Sequence, residues 1–520
     1  MWQGSYDERS IPEKAGFEWN AAACQWETFS PVIAGQFAQY FDASAIELAA
    51  RAEESKAVNA EFPAPAPTGL HYIGYQLAGI KFVYSHPNTL LADDMGLGKT
   101  IQAIGLVNSL PDVLTMLIVC PASLKLNWKR ELEKWLTVPM GIGIVTGATT
   151  ELPNTAITIV NYDLLHKHTW PQYDLLVLDE AQYCKSPTAR RTKKALAIRA
   201  TRKLFLTGTP ILSRPIEIFN LIHALDPKAW PSRPSFGMRY CNGFVSGRGA
   251  DFSGASQLDE LHDKLRSTIM LRRLKADVLK ELPPKCRQVI ELPAAGAAVA
   301  IRKERKLRES IQAIVARGGA YSEQVAALKR ARQEAFENLA LVRHETALAK
   351  IPQVVQFIED VLDDVAKVVV FAHHKDVIQQ LKDHLTVVNS NQGVVRDVVV
   401  VTGDTTPAMR QAAVDRFQND PSVRVFLGNI QAAGVGITLT AASHVIFAEL
   451  DWVPGVMTQA EDRCHRYGQH DNVLVQHLVL EGSLDAHIAR TLVEKQEILD
   501  QALDGVSPAA EAIDLLEVFK

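Results

Sequence analysis

Two stretches far apart in the 520-residue chain carry chemistry that belongs together: LLADDMGLGKT at 90–100 and QAEDRCHRYGQ at 459–469. In the first, Gly96 and Gly98 allow close backbone approach, so that amide N–H groups of the loop Asp94, Met95, Gly96, Leu97 and Gly98 can point at the β- and γ-phosphates of ATP. Lys99 supplies a point charge and Thr100 a hydroxyl for Mg2+. The strict eight-residue form of this loop begins with Gly, and here Asp93 stands in that place. The context is right all the same, because an apolar strand pattern precedes the loop and a helical pattern, IQAIGLV, follows it. In the second stretch Arg463 and Arg466 are three residues apart, on one face of a helix if the segment is helical. A guanidinium brought to the γ-phosphate stabilises the charge of phosphoryl transfer and contributes roughly 10³–10⁵ in rate. A phosphate cradle in one half and an arginine pair in the other imply a nucleotide held in a cleft between two lobes, which its hydrolysis opens and closes.

Two further motifs follow the loop in order. LLVLDEAQ ends a buried strand pattern on Asp179, placed to hold Mg2+, usually through water, and Glu180, placed to orient and deprotonate the attacking water. LTGTP at 206–210 is a polar turn at another strand end, where the hydroxyls of Thr207 and Thr209 suit sensing of the γ-phosphate.

Those residues need a scaffold, and its elements are legible. TLLA (89–92), MLIVCP (116–121), AITIVNY (156–162), LLVLDE (175–180) and KLFLTG (203–208) are near-continuously apolar, with helical patterns between them. That is the pattern of a parallel sheet buried on both faces. KVVVFAHH (367–374), DVVVVTGD (397–404), VRVFLGN (423–429), HVIFAEL (444–450) and VLVQHLV (473–479) repeat it. The expected fold is α/β: two doubly wound parallel-sheet lobes, over 70–225 and 351–500. Residues 226–350 are mostly helical and charged, too long for a loop, and are expected to form helical protrusions and an interlobe linker. Residues 1–60 read as a small N-terminal accessory module, with a short hairpin in GFEWNAAACQWETFS and a helix near 43–60. EFPAPAPTG (61–69) is a Pro-rich linker, and 501–520 a tail.

Composition narrows the class. No apolar run approaches a membrane span, and MWQGSYDERS lacks a signal-peptide pattern, so no membrane is expected. Cys24, Cys120, Cys184, Cys241, Cys286 and Cys464 form no CxxC pair, which argues against structural zinc and for reduced thiols in a cytoplasmic setting. The net charge of −4 alone disfavours nucleic acid, but its distribution does not. Lys185–Lys203 holds eight basic residues and no acid, and Arg266–Arg308 twelve against four. Such runs serve a phosphate backbone or form a solvated helical face. The adjacent His373 and His374 read as a strand end rather than a metal site.

Taken together and in order, YQLAGIKF, LADDMGLGKT, CPASLKLNW, NYDLL, LDEAQ, LTGTP, MLRRLKADVLKELPPK, VFAHH, TGDT, IQAAGVGITLTAASHVIFAELDW and QAEDRCHRYGQ resemble the superfamily-two helicases, and within them the Swi/Snf-type ATPases. The likeness covers about 70–500 and is nearest the annealing-helicase, HARP-like branch. It implies RecA-like lobes, ATP and Mg2+ as cofactors, and a DNA-dependent ATPase that translocates on double-stranded DNA and remodels or anneals branched DNA. By the same resemblance, Gln76 matches the adenine-reading glutamine, Lys99, Asp179, Glu180, Arg463 and Arg466 the catalytic set, and Thr100 and Asp179 the metal-holding pair. Gln431, Gly434 and Gly436 match a loop coupling nucleotide to DNA, with Gly436 also on the ATP side, and Thr209 and Gln182 join the coupling set. Pro121, Ser123, Asn161, Thr207, Thr402 and Gly403 fall where relatives grip DNA phosphates, and Arg272 and Arg273 in a family-specific bridge to DNA. One departure is Gln182, where the family usually has His. The N-terminal hairpin is similar to small modules fused to HARP-like enzymes, or is an ordinary packing extension. A monomeric bacterial or bacteriophage enzyme, nucleoid-associated in the cytoplasm, is expected. The rival readings are a strand-separating DNA or RNA helicase and a nucleotide-gated DNA-binding clamp with little turnover.

Overall fold

The computed structural model describes residues 17–20, 25–27, 43–208, 210, 214–246, 249–294, 299, 301–303, 305–306, 341–389, 393–434, 436–451, 454–483, 485–486 and 489. These fall into two compact units that divide between Lys280 and Glu281. Each is a RecA-like doubly wound α/β lobe.

The chain opens with an antiparallel hairpin, β1 (Glu18–Asn20) and β2 (Gln25–Glu27), in which Trp19 sits opposite Trp26. A helix over Ala43–Glu54 follows and packs against a later helix, Leu258–Thr268; Arg266 Nη1 donates to the Ser55 carbonyl at 3.3 Å. Both elements expected in this region are present.

The first lobe is built on β3 (Asn88–Leu91), β4 (Met116–Cys120), β5 (Ile142–Ile144), β6 (Ile157–Asn161), β7 (Tyr173–Asp179) and β8 (Ala200–Leu206). A small hairpin, β9 (Phe244–Ser246) and β10 (Gly249–Asp251), stands apart from the sheet, and β11 (Met270–Leu271) completes it. The order is β11-β3-β8-β7-β4-β6-β5, with every pairing parallel. Each residue of β4 and β6 is buried, which is why those strands are apolar without alternation. Parallel pairing brings all the carboxyl ends to one edge, so Asn161 and Asp179 end their strands there and Asp93, Pro121, Thr207 and Arg272 follow theirs.

The second lobe repeats the plan with β12 (Lys285–Leu292), β13 (Val368–Ala372), β14 (Val387–Asn389), β15 (Gly393–Val401), β16 (Val423–Asn429), β17 (His444–Phe447) and β18 (Val473–Leu480). Their order is β12-β18-β17-β13-β16-β15-β14, parallel except for the β14–β15 pair. Its carboxyl edge carries His373, Thr402, Gln431 and Glu449.

The boundary expected at 225/226 is displaced. Trp230, Phe236, Tyr240, Leu261 and Leu265 join the same buried cluster as Leu117, Leu176 and Phe205, so residues 226–280 pack into the first lobe and give its sheet an edge strand. The middle of the same expected region gives β12 to the other sheet. Neither strand was foreseen, because a two-residue edge strand and a charged one (KCRQVIEL) lack the apolar run of the interior strands. Residues 307–340 and the 501–520 tail lie outside the described residues.

The second lobe buries an ionic cluster. Lys285 Nζ reaches Glu461 Oε2 at 2.9 Å and Asp462 Oδ1 at 3.0 Å, while Arg287 Nη2 reaches Glu461 Oε2 at 2.8 Å. Burial alone would raise the Glu461 carboxyl, but the charges of Lys285 and Arg287 hold it down at about 2. His477, in the same interior, finds no hydrogen-bond partner for either ring nitrogen among the described residues, the Glu461 Oε1 standing 4.0 Å from its Nε2, and burial pushes it down to about 4. An unfolded imidazole takes up its proton near pH 6.5. Between 6.5 and 4 the unfolded chain therefore binds a proton that the folded chain refuses, and stability falls as pH falls across that window. Scanning calorimetry from pH 7 to 4 should show His477→Leu flattening that acid-side loss of the melting temperature. An unchanged slope would refute it.

Candidate active site

The glycine loop is shaped by backbone and by one buried ion pair. Gly96 and Gly98 adopt positive φ, 86° and 71°, and a Cβ on Gly98 would stand 2.6 Å from Gln76 Nε2. The Asp93 side chain is fully buried and pairs with the Arg273 guanidinium, whose Nε donates to Asp93 Oδ1 at 3.0 Å. Arg273 N donates to that oxygen as well, Gln102 Nε2 donates to Oδ2 at 3.0 Å, and Arg273 Nη2 donates to Gln102 Oε1 at 2.8 Å. Arg273 Nη1 closes the set on the Tyr75 carbonyl. The departure from Gly at 93 thus has a structural cause: the carboxylate anchors the chain that leaves β11. Arg272 Nη1 donates to the Ala92 carbonyl at 2.9 Å. The lysine of the loop, Lys99, is held by the carbonyls of Asp93 (2.6 Å) and Asp94 (3.0 Å). Burial lowers its pKa, opposed by the carboxylates of Glu180, Asp93, Asp94 and Asp179. Gln76 Oε1 accepts from Ile73 N at 3.1 Å, which fixes its amide beside the loop.

The two acids at the end of β7 are held differently. Asp179 Oδ2 accepts from the indole Nε1 of Trp128 at 2.8 Å and Oδ1 from Glu180 N at 3.0 Å. Burial, then the neighbouring Glu180 charge, push the Asp179 carboxyl up to about 7, against the Trp128 bond and the Lys99 charge. Glu180 sits in the left-handed region at φ 52°, a strained conformation for a residue with a side chain. Its Oε2 accepts from Gln182 Nε2 at 2.6 Å, and Gln182 Oε1 accepts from Thr207 Oγ1 at 2.8 Å. One amide therefore joins the acid motif to LTGTP. Two carboxylates crowded together at a half-buried lysine form a donor set that fits a divalent cation, and Thr100 adds a hydroxyl with no protein partner among the described residues.

In the second lobe the helix Pro454–Glu461 ends before either arginine, so Arg463 and Arg466 lie in turns and not on a helical face. Arg463, buried, donates through Nε to the Gln459 carbonyl at 2.9 Å, and Arg466 Nη1 to Thr438 Oγ1 at 2.8 Å and the Ile437 carbonyl at 3.0 Å. Leu439 N donates to the Arg463 carbonyl at 2.9 Å, which binds the GITL segment to the arginine turns. Gly434 must be glycine, since a Cβ there would lie 2.3 Å from the Ile430 carbonyl oxygen; Gly436 has φ 76°. Gln431 is exposed, with Nε2 3.4 Å from Asp451 Oδ2.

The residues expected to grip DNA divide by burial. Ser123 and Thr402 are half-buried and Gly403 is exposed. Arg272, Arg273, Asn161, Thr207 and Pro121 are buried within the first lobe. The two arginines are committed to the glycine loop, Thr207 to Gln182, and the Asn161 Oδ1 to Lys125 Nζ at 3.1 Å. Thr209 lies outside the described residues. Trp128, Gln102 and Tyr75 were missed. The Leu124, Trp128, Leu132, Trp135 spacing reads only as a core face, although a buried indole N–H calls for an acceptor.

Comparison with known proteins accords with this geometry. The SNF2-related domain family matches residues 75–338, and the helicase conserved C-terminal domain family residues 349–468. The DNA annealing helicase and endonuclease ZRANB3 of Mus musculus is 37% identical over 464 residues, 85% of this chain and 41% of that protein. The SWI/SNF-related matrix-associated actin-dependent regulator of chromatin subfamily A-like protein 1 of Xenopus tropicalis is 35% identical, covering 85% of this chain and 46% of that protein. The chain thus spans less than half the length of these two relatives. The solved Sulfolobus solfataricus SWI2/SNF2 ATPase core in complex with dsDNA aligns with a TM-score of 0.40 at 23% identity, over 85% of this chain and 96% of that one. The expected bacterial or bacteriophage setting, nucleoid-associated in the cytoplasm, is overturned by these relatives, which come from mouse, human, frog, worm and fly. Among the described residues no helix is long and apolar enough to cross a membrane, and no group of three or more His, Cys, Asp or Glu side chains gathers as a metal site; the pair Asp179 and Glu180 falls below that number.

The buried pair generates a prediction that runs against the motif. Asp93→Gly restores the strict glycine pattern yet leaves Arg273 charged and unpaired, at a cost of about 3–5 kcal/mol. Denaturant unfolding should show that loss, and Asp93→Gly combined with Arg273→Met should recover much of it. A single variant as stable as the parent would show that the pair does not anchor the loop.

Proposed function

The chain belongs to the SNF2-related family, and from that premise we propose that it is a DNA-dependent ATPase that moves along double-stranded DNA and remodels or anneals branched DNA. The observation that carries the proposal is the convergence of Lys99, Asp179 and Glu180 at one sheet edge, with Gln182 tying Glu180 to Thr207. The naming of one relative as a DNA annealing helicase supports the choice of branched DNA.

In this reading Gln76 and the loop from Asp94 to Gly98 hold the nucleotide, and Lys99 exchanges its loop carbonyls for phosphate oxygens. Thr100 and Asp179 would hold Mg2+, which neutralises phosphate charge when bound. Glu180 orients and deprotonates the attacking water, held for that task by Gln182. Arg463 and Arg466, from the second lobe, stabilise the transferring phosphoryl group. Ser123, Thr402 and Gly403 contact the phosphate backbone, while Gln431, Gly434 and Gly436 transmit nucleotide state. Thr207 and Gln182 carry the same signal within the first lobe. The enzyme acts as a monomer.

Steady-state ATP turnover across single-stranded, duplex, forked and four-way DNA tests the proposal. Duplex and branched DNA should stimulate; no stimulation by any DNA would overturn it. Lys99→Ala should abolish turnover with the fold intact, and Arg463→Ala should reduce it by about 10³ or more while ATP still binds. Gln182→Ala should lower kcat by about tenfold with little change in the KM for ATP, as expected for a lost charge-assisted hydrogen bond to the base. Displacement of a tailed strand without annealing would favour a strand-separating helicase.

A further inference from the structure

The helix Lys125–Trp135 follows β4 at the carboxyl edge and turns Trp128 inward, where its side chain has no exposed surface. Its Nε1 ends 2.8 Å from Asp179 Oδ2, while the other oxygen of that carboxylate takes the Glu180 amide at 3.0 Å. The Asp179 backbone is held too, by the Tyr162 hydroxyl donating to its carbonyl at 2.9 Å. An indole N–H is a donor only, and a ring packed on all sides cannot follow a moving carboxylate. Such a bond is not a default of burial in this lobe. Trp230 is almost as deeply buried and its Nε1 has no hydrogen-bond partner among the described residues, and the Nε1 of Trp170 donates to an ordinary backbone carbonyl, that of Leu165.

We propose that Trp128 is a positioning residue of the phosphoryl-transfer site: its indole N–H fixes the direction in which Asp179 presents its carboxylate to a nucleotide-bound divalent cation. The inference rests on the nucleotide-site reading above and deepens it. With both oxygens already accepting protein hydrogen bonds, Asp179 is a carboxylate whose orientation is set before nucleotide arrives, and a side chain outside the loop and acid motifs sets it.

Trp128→Phe removes the N–H and keeps an aromatic ring in the space. Mn2+ binding in the presence of ADP, read by electron paramagnetic resonance without DNA, should weaken about tenfold in the variant. Metal-free ADP binding should be unchanged. The Mg2+ concentration for half-maximal turnover should rise by a similar factor. Equal Mn2+ affinity in parent and variant overturns the proposal. Should the variant fold poorly, the parent carrying 5-fluorotryptophan supplies the second test. Its Trp128 fluorine resonance, assigned by loss in Trp128→Phe or by proximity to bound Mn2+, should shift when Mg2+ is added to the ADP complex; a resonance that does not move overturns the proposal. Metal binding that depends on Trp128 in an enzyme that no DNA stimulates would sink the translocase reading and leave this inference standing.

Discussion

A carboxylate and a guanidinium meeting in a dry interior set the terms for the first lobe. Asp93 and Arg273 are each almost wholly enclosed, so neither tolerates the loss of the other. Gln102 and the Tyr75 and Ala57 carbonyls take further donors and acceptors of the pair, which turns a costly burial into a specific join. The join matters because β11 offers only two residues of pairing to β3. Asp93 also works on a second front: its side chain faces the arginine while its carbonyl receives the ammonium of Lys99. Sheet edge, glycine loop and lysine are thereby located by one residue that the strict motif would make glycine.

The acids beyond β7 show how adjacent carboxylates are set apart by what touches them. Asp179 is enclosed and held by an indole and a backbone amide. Glu180 is half-buried on a left-handed backbone and gripped by a side-chain amide. Burial with a like charge beside it pushes Asp179 up, the expected consequence of two carboxylates sharing one corner. The second lobe answers the same problem with cations, since Lys285 and Arg287 keep the buried Glu461 well down.

How much of this could be read beforehand follows from the range of the forces involved. The interior strands were legible because burial on both faces demands continuous apolar runs, as in MLIVC and ITIVN. The loop, the acid pair and the threonine turn were legible because local spacing carries their chemistry. What escaped was pairing across distance. Asp93 and Arg273 are 180 residues apart, Trp128 and Asp179 51, and Lys285 and Glu461 176. A single chain names the members of such pairs without matching them. So Arg272 and Arg273, read as part of a bridge to DNA, are interior struts of the first lobe, and Trp128, given no role, touches the acid.

The Gln182 bridge has a consequence of its own. An imidazole in that position would gain or lose a proton within the ordinary range of cellular acidity, and the bridge would change with it. A carboxamide does neither: its NH2 and its oxygen keep their identities at any pH the protein survives, with the NH2 turned to Glu180 and the oxygen to the Thr207 hydroxyl. The link from acid to threonine is thus mechanical and polar in sense. It passes on movement, stores no proton, and keeps the same wiring when the surroundings turn acid.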